Sequence, residues 1–268
     1  MGFFRKKSVE MNVPEPLPRN GLCLAMVALD RARPLPEGAL LAFLQDHWKD
    51  IPRAKALQHG QDALGFDLDD ATVALSLIPW AIPWEDLEGP ARAAWHWPEA
   101  VDRLRNHSAH VIVAVRAPGM GSLAATLLLT RVVAAVAATT DACGVYWGEG
   151  PVVNAPDDFI EEAKRTSRQR LPLYLWLAFH IVRNPDGTFT LCTSGMRTFY
   201  FMELELVASR TKPALLVDRA FNFAHYLLDH GPVLKDGDTI GLSAQERFQV
   251  QHRRSILDPG RKVYRVEM

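Results

Sequence analysis

Ala63-Leu-Gly-Phe-Asp-Leu68-Asp69-Asp70-Ala71-Thr-Val-Ala-Leu-Ser-Leu-Ile78 reads as two strand-like runs joined by an acidic pair. Apolar residues recur at every second position on both sides of Asp69-Asp70, the period of a half-buried strand, and two aspartates suit a tight turn. Upstream, residues 22–29 form a continuous apolar run, too short for a helix and bounded by Gly21 and Asp30-Arg31, which predicts a buried central strand. Between them Pro36 opens a helix that carries Leu40, Leu41, Leu44 and Trp48 on one face. Downstream, Pro79 and Pro83 end the second hairpin strand, 85–107 reads as helix interrupted at Gly89-Pro90 and at Trp97-Pro98, and 109–115 is another buried strand. The resulting β-α-β-β-α-β order is that of a ferredoxin-like unit.

The remainder continues in kind. Residues 122–139 are an apolar helix, 144–147 a short strand, and Asn154 caps a helix running to about 168 with acids in its first turn. Residues 173–182 and 188–193 form a hairpin across Asn184-Pro-Asp-Gly187, and 201–207 is a further strand. In 213–229, Leu216, Ala220, Phe223 and Leu227 make one apolar stripe of a helix that His230-Gly231-Pro232 stops. Strands at 248–252 and 262–266 close the chain. The fold class is therefore α+β, mixed or antiparallel sheets with helices packed on them. Residues 1–20, punctuated by Pro14, Pro16 and Pro18, read as a flexible arm, and 21–268 as one domain divisible into two packed halves at 118/119.

Composition bounds the function. With 48% apolar residues in 268, the chain can bury a large core, and 30 basic against 31 acidic residues give no broad attraction for a polyanion. Nucleic acid and membrane are excluded as expected partners. The one long apolar helix holds Arg131 at its centre, which fits a globular core better than a bilayer. Cys23, Cys143 and Cys192 are odd in number and scattered, which predicts reduced thiols and a cytoplasmic setting. The basic start is followed by acids and prolines where a signal peptide would be apolar.

Several constellations resemble chemistry. Gly119-Met-Gly121-Ser122 follows a strand and opens a helix, with Glu149 past the next strand, the layout in which glycines admit a pyrophosphate to a helix N-terminus. Its mid-chain position and Pro118 favour an ordinary strand-to-helix turn. His107 and His110 stand three apart but span a helix end and a strand start, without a further ligand nearby, so no metal site is assigned. Cys143 and Cys192, beside His180 or His225, are better read as buried thiols than as nucleophiles. Trp80, Trp84, Trp95 and Trp97 crowd into 79–98, where they either fill core or offer a recognition surface. Asp236 and Asp238 could share a cation, although a turn explains them. No catalytic residue and no cofactor follow from these patterns.

Ile82-Pro-Trp-Glu-Asp-Leu-Glu-Gly-Pro90 with Ala94-Trp95 and Trp97-Pro98, Val145-Tyr-Trp-Gly148, Thr193-x-Gly195-Met196, Met202-Glu-x-Glu205, Asp236-Gly-Asp-Thr-Ile-Gly241 and Asp258-Pro-Gly260 occur in this order. In combination they resemble the bacterial family called domain of unknown function 4261, over most of 21–268. The resemblance marks positions without assigning them roles: Trp84, Glu85, Trp95, Tyr146, Trp147, Gly195, Met196, Glu203, Glu205, Asp236 and Asp238, with Trp97 added from the aromatic cluster, are the candidate binding residues. Glu203 and Glu205 alternate with Met202, Leu204 and Leu206, so both acids lie on one strand face, either solvated or lining a cleft. The expectation is a non-catalytic cytosolic binding or accessory protein of the immunity type that docks another protein. The alternative is an enzyme or nucleotide-binding protein that uses the Gly119–Ser122 helix start or an acidic cleft.

Overall fold

Strong β-formers at alternating positions build the first sheet, and its order is set by which strands find partners on both edges. The computed structural model describes residues 21–268 apart from 244, so the arm expected at 1–20 lies outside the described residues. One compact unit ends at Trp176 and the other comprises Leu177–Met268. In chain order the first contains β1 (Leu22–Leu29), α1 (Glu37–His47), β2 (Lys55–His59), β3 (Ala63–Leu68), β4 (Ala71–Ile78), α2 (Trp84–Ala93), α3 (Ala100–Arg105), β5 (Ala109–Arg116), α4 (Ser122–Thr139), β6 (Ala142–Trp147), β7 (Val152–Asn154), α5 (Pro156–Lys164) and the single turn α6 (Leu173–Trp176).

Its seven-stranded sheet runs β2-β3-β4-β5-β1-β6-β7, with every neighbouring pair antiparallel. The hairpin at 63–78 is β3 and β4, in register from Ala63↔Ser76 to Leu68↔Ala71. The α+β class holds, but the ferredoxin-like pairing does not. A split β-α-β arrangement would set β1 beside β4, whereas β5 lies between them, paired to β1 along all eight residues and to β4 along seven. Consequently β5 and β6 run parallel with β1 threaded between them. Helix α4 makes the crossover and packs on β1, β5 and β6.

That crossover also moves the expected division. Cutting at 118/119 would strip β1 of its partner β6 and of its cover α4, and the division falls after Trp176 instead. Two further readings need correction. Helix α2 continues through Gly89-Pro90, where Pro90 removes the N–H that would bond Asp86, an exposed residue, and the break comes at Ala94. Residues 173–182 are not one strand, because their continuous apolar run carries no period and Leu173–Trp176 close a helical turn before the strand begins.

Helix α4 is the packing centre, with eleven of its residues buried, Val132 to Ala137 among them. Its central Arg131 is held at the rim by Asp50, 2.7 Å away, with the guanidinium carbon 5.8 Å from the Trp48 ring centre. The opposite sheet face takes α2 and α3, where Ala28, Ile82, Leu87, Trp97, Leu104 and Val153 form one cluster.

Close approach of neighbouring segments dictates two glycines in this unit. Gly21 holds φ +63° where a Cβ would strike the backbone of Ala117 and Pro118 at 2.6–2.7 Å. A Cβ on Gly144 would lie 2.5 Å from Leu104 Cδ2 and 3.2 Å from the Trp97 ring.

The second unit follows the same logic around one helix. It contains β8 (Ala178–Arg183), β9 (Phe189–Ser194), a 3-10 turn (Met196–Phe199), β10 (Glu203–Ser209), α7 (Pro213–His230), β11 (Thr239–Ile240), β12 (Phe248–Arg254) and β13 (Lys262–Glu267). The sheet runs β11-β12-β13-β10-β9-β8, and β10 and β13 are its parallel pair. Leu191, Leu204, Leu206, Val250 and Val266 are fully buried on one face, and Leu216, Ala220, Phe223 and Leu227 form the buried stripe of α7, which packs on β8, β9 and β10. Period two then sends Glu203 and Glu205 to the other face.

Gly144→Ala is expected to cost about 1–3 kcal/mol by overpacking, while Gly119→Ala, which meets nothing within 4 Å, leaves stability almost unchanged. Paired urea-melting curves check the contrast.

Candidate functional site

The aromatic segment in the first unit is held down by histidines. His107 Nε2 accepts the Ile82 N–H at 2.7 Å while Nδ1 donates to the Leu104 carbonyl, and His110 Nδ1 donates to the Trp80 carbonyl at 2.8 Å. The pair expected at a helix end and a strand start thus fastens the chain between β4 and α2. Burial is the main cause that depresses the His110 pKa, offset by its bond to Trp80 and reinforced by nearby His107.

On that braced segment the four tryptophans take different places. Trp97 fills the core, and Trp84 is half-buried with the Arg105 guanidinium 5.0 Å from its ring centre. Trp80 and Trp95 are 63% and 68% exposed. Glu85 is exposed in the first turn of α2. Tyr146 packs half-buried against the cluster of Trp97 and Leu104, and burial, aided by Asp86, raises its pKa. Its neighbour Trp147 points through the sheet to stack on Trp176, ring centres 6.5 Å apart. Trp84, Trp97 and Tyr146 therefore come together, and Trp147 does not join them.

In the second unit, both acids of β10 are consumed by loops. Glu203 accepts from Gly195 N–H (3.0 Å) and Arg197 N–H (3.4 Å) at Oε1, and from Thr193 Oγ1 (2.7 Å) and Met196 N–H (3.2 Å) at Oε2. Those bonds fix the 3-10 turn, flanked by Gly195 at φ +118° and Tyr200 at φ +66°. Burial pushes the Glu203 carboxyl up in pKa, and the four donors pull it back. Glu205, 1% exposed, accepts Ser255 Oγ and Ile256 N–H, both at 2.7 Å, on Oε1, and the Arg265 guanidinium at 2.8 and 3.2 Å on Oε2.

A carboxylate offers about four lone-pair directions, and each of these acids has all four taken. The two side chains share a face as expected, and there both carboxylates are spent on neighbouring loops and on Arg265.

Residues 192–267 match the family described as Domain of unknown function (DUF4261). No curated protein matches the chain, and no solved structure does. The DUF4261 stretch begins at Cys192 and takes in Met196, Glu203, Glu205, Asp236 and Asp238, while the quoted motifs at 82–98 and 145–148 lie outside it. Met196 is fully buried. Asp236 accepts the His252 N–H at 2.7 Å and Asp238 the Lys235 N–H at 2.8 Å, so the turn they form is fastened to β12. Within the matched residues Glu203, Glu205, Asp236 and Asp238 serve as loop braces. Sequence reasoning missed Arg265 and Ser255, because only their pairing with Glu205 marks them.

The cysteine and glycine alternatives also have definite geometry. Cys192 stands opposite His180 across the β8–β9 pair, and burial, with Glu205 adding to it, pushes the thiol up to about 12. Cys143 is pushed to about 12 mainly by burial, and neither thiol is ionised near neutrality. At Gly119–Ser122, α4 does start at the end of β5, but the parallel strand carrying Glu149 past its end is two positions away, with antiparallel β1 between. A dinucleotide fold needs its first two parallel strands side by side.

His110 and His180 both have pKa values lowered by burial. The unfolded chain therefore takes up protons below about pH 6.5 that the folded chain refuses, and stability falls as pH drops from there. His110→Asn, which retains a donor for the Trp80 carbonyl, is expected to flatten the denaturation midpoint between pH 6.5 and 5. An unchanged slope would contradict the neutral, buried assignment.

Proposed function

We propose that this chain is a non-catalytic binding protein, an accessory or immunity-type component of the bacterial cytosol, that docks another protein through the aromatic segment of its first unit. The carrying observation is Trp80 and Trp95, exposed on a segment whose backbone is pinned by His107 and His110. Tryptophan gives the largest contact area per ordered side chain, and a backbone fixed beforehand spares the partner the entropy of ordering it. The saturated lone pairs of Glu203 and Glu205, and two thiols protonated near neutrality, favour this reading over hydrolytic or nucleophilic chemistry. A reducing compartment suits three cysteines of which none is in a disulfide.

The alternative, a nucleotide- or metal-dependent enzyme, is separable by thermal shift. A ligand at a hundred times its dissociation constant stabilises a fold by about 2.7 kcal/mol. Wild-type bait in lysate of the native host is expected to retain one stoichiometric protein, and Trp80→Ala/Trp95→Ala to lose it with an unchanged melting temperature. A thermal shift with a nucleotide or metal, together with equal retention by both baits, would overturn the proposal.

A further inference from the structure

We infer that the end of the six-stranded sheet where β10 begins and the β12–β13 hairpin turns is a docking surface for an acidic protein segment that carries an apolar side chain. The inference goes beyond the tryptophan surface, which belongs to the other unit. Ile256 and Leu257 are consecutive and each 55% exposed. Single exposed aliphatics are ordinary on any surface, but here the loop bearing them is held in shape.

Ser255 Oγ donates to Glu205 and accepts the N–H groups of Leu257 and Asp258, each at 3.1 Å. The Ile256 N–H is spent on Glu205, Asp258 accepts the Gly260 N–H, and Arg254 donates to the Pro259 carbonyl at 2.9 Å. A polar loop needing only to reverse direction would not require this bracing. Two aliphatic side chains held out by it lose little entropy when a partner covers them.

The charge around them points to the partner. Arg253 and Lys262 are exposed at the hairpin end and make no ion pair among the described residues, while Arg261 is taken by Asp258 at 2.8 Å. Glu203 is in register with Val263, so the loop before β10 lies at the same end of the sheet. That loop presents exposed Arg197, unpaired among the described residues, and Tyr200, 39% exposed and in the left-handed backbone region. Non-glycine residues rarely hold such a backbone, and the strain persists because Glu203 grips the preceding turn.

Arg197, Arg253 and Lys262 thus lie at the same end of the sheet as Ile256 and Leu257, each without an ion pair among the described residues, while the loop's own acid, Asp258, is taken by Arg261. Guanidinium groups match carboxylates in paired geometry, and two rigid loops suit a partner of definite shape, which favours an acidic protein segment over a fluid lipid surface.

The test uses the full chain and a fluorescein-labelled random copolymer of glutamate and tyrosine, followed by anisotropy at two salt concentrations. Wild type is expected to bind the copolymer more tightly than polyglutamate and more weakly at the higher salt. Arg253→Glu/Lys262→Glu should lose at least tenfold in affinity. Ile256→Ser/Leu257→Ser should lose at least threefold while melting as wild type does, which keeps the proposal open to refutation even if charge reversal impairs folding. Absent binding, equal binding by the folded variants, or tighter attachment to phosphatidylserine vesicles than to the copolymer would each overturn it.

Discussion

A carboxylate taken out of water has to be met by donors, and Glu205 is where the second unit meets that demand. Its four acceptor directions reach β13 through Arg265 and the hairpin turn through Ser255 and Ile256, so one buried charge joins three segments. Removing one partner of such a pair costs about 3–5 kcal/mol, because the other is left charged and unpaired. The shape of the 255–260 loop is therefore inherited from β10. Glu203, two residues earlier on the same face, does the same for the turn at 195–197.

The first unit solves a related problem with neutral groups. Between β4 and α2 the chain leaves the ladder, and its backbone groups need partners that no strand supplies. His107 serves as acceptor and donor at once, which fixes its tautomer, and His110 donates to the carbonyl of Trp80. Burial of His110 disfavours its charged form. Histidine suits this place because a single neutral ring can answer an N–H and a carbonyl together. The tryptophans beyond it are then divided between core and surface by a backbone already set.

What the amino-acid order revealed, and what it hid, follows from how local each signal is. The ends of α4 and the hairpin of β3 and β4 could be read from periodicity and turn residues, and the shared face of Glu203 and Glu205 from parity alone. Strand β2 could not, since all five of its residues are exposed and no alternation marks it. The neighbour of β1 was equally hidden, because the choice between β4 and β5 depends on a crossover that runs through α4 to β6. The fate of the two acids lay further out of reach. Ser255 and Arg265 are 50 and 60 residues from Glu205, and nothing in the Met202–Glu205 motif tells a braced acid from a catalytic one.

That last ambiguity has a physical resolution. An acid that works on a substrate must keep a lone pair, or a proton, turned toward a space the substrate can enter. One that organises a loop spends its lone pairs on the chain itself, and its burial raises the cost of any replacement. Glu203 and Glu205 show the second pattern at every acceptor position, and the turns they hold carry the exposed cations and aliphatic side chains. The matched stretch is thus coherent as scaffold: Glu203 and Glu205 constrain the loops from beneath. On the proposed reading, function resides at the tips, one hydrogen bond away from the acids that sequence motifs make conspicuous.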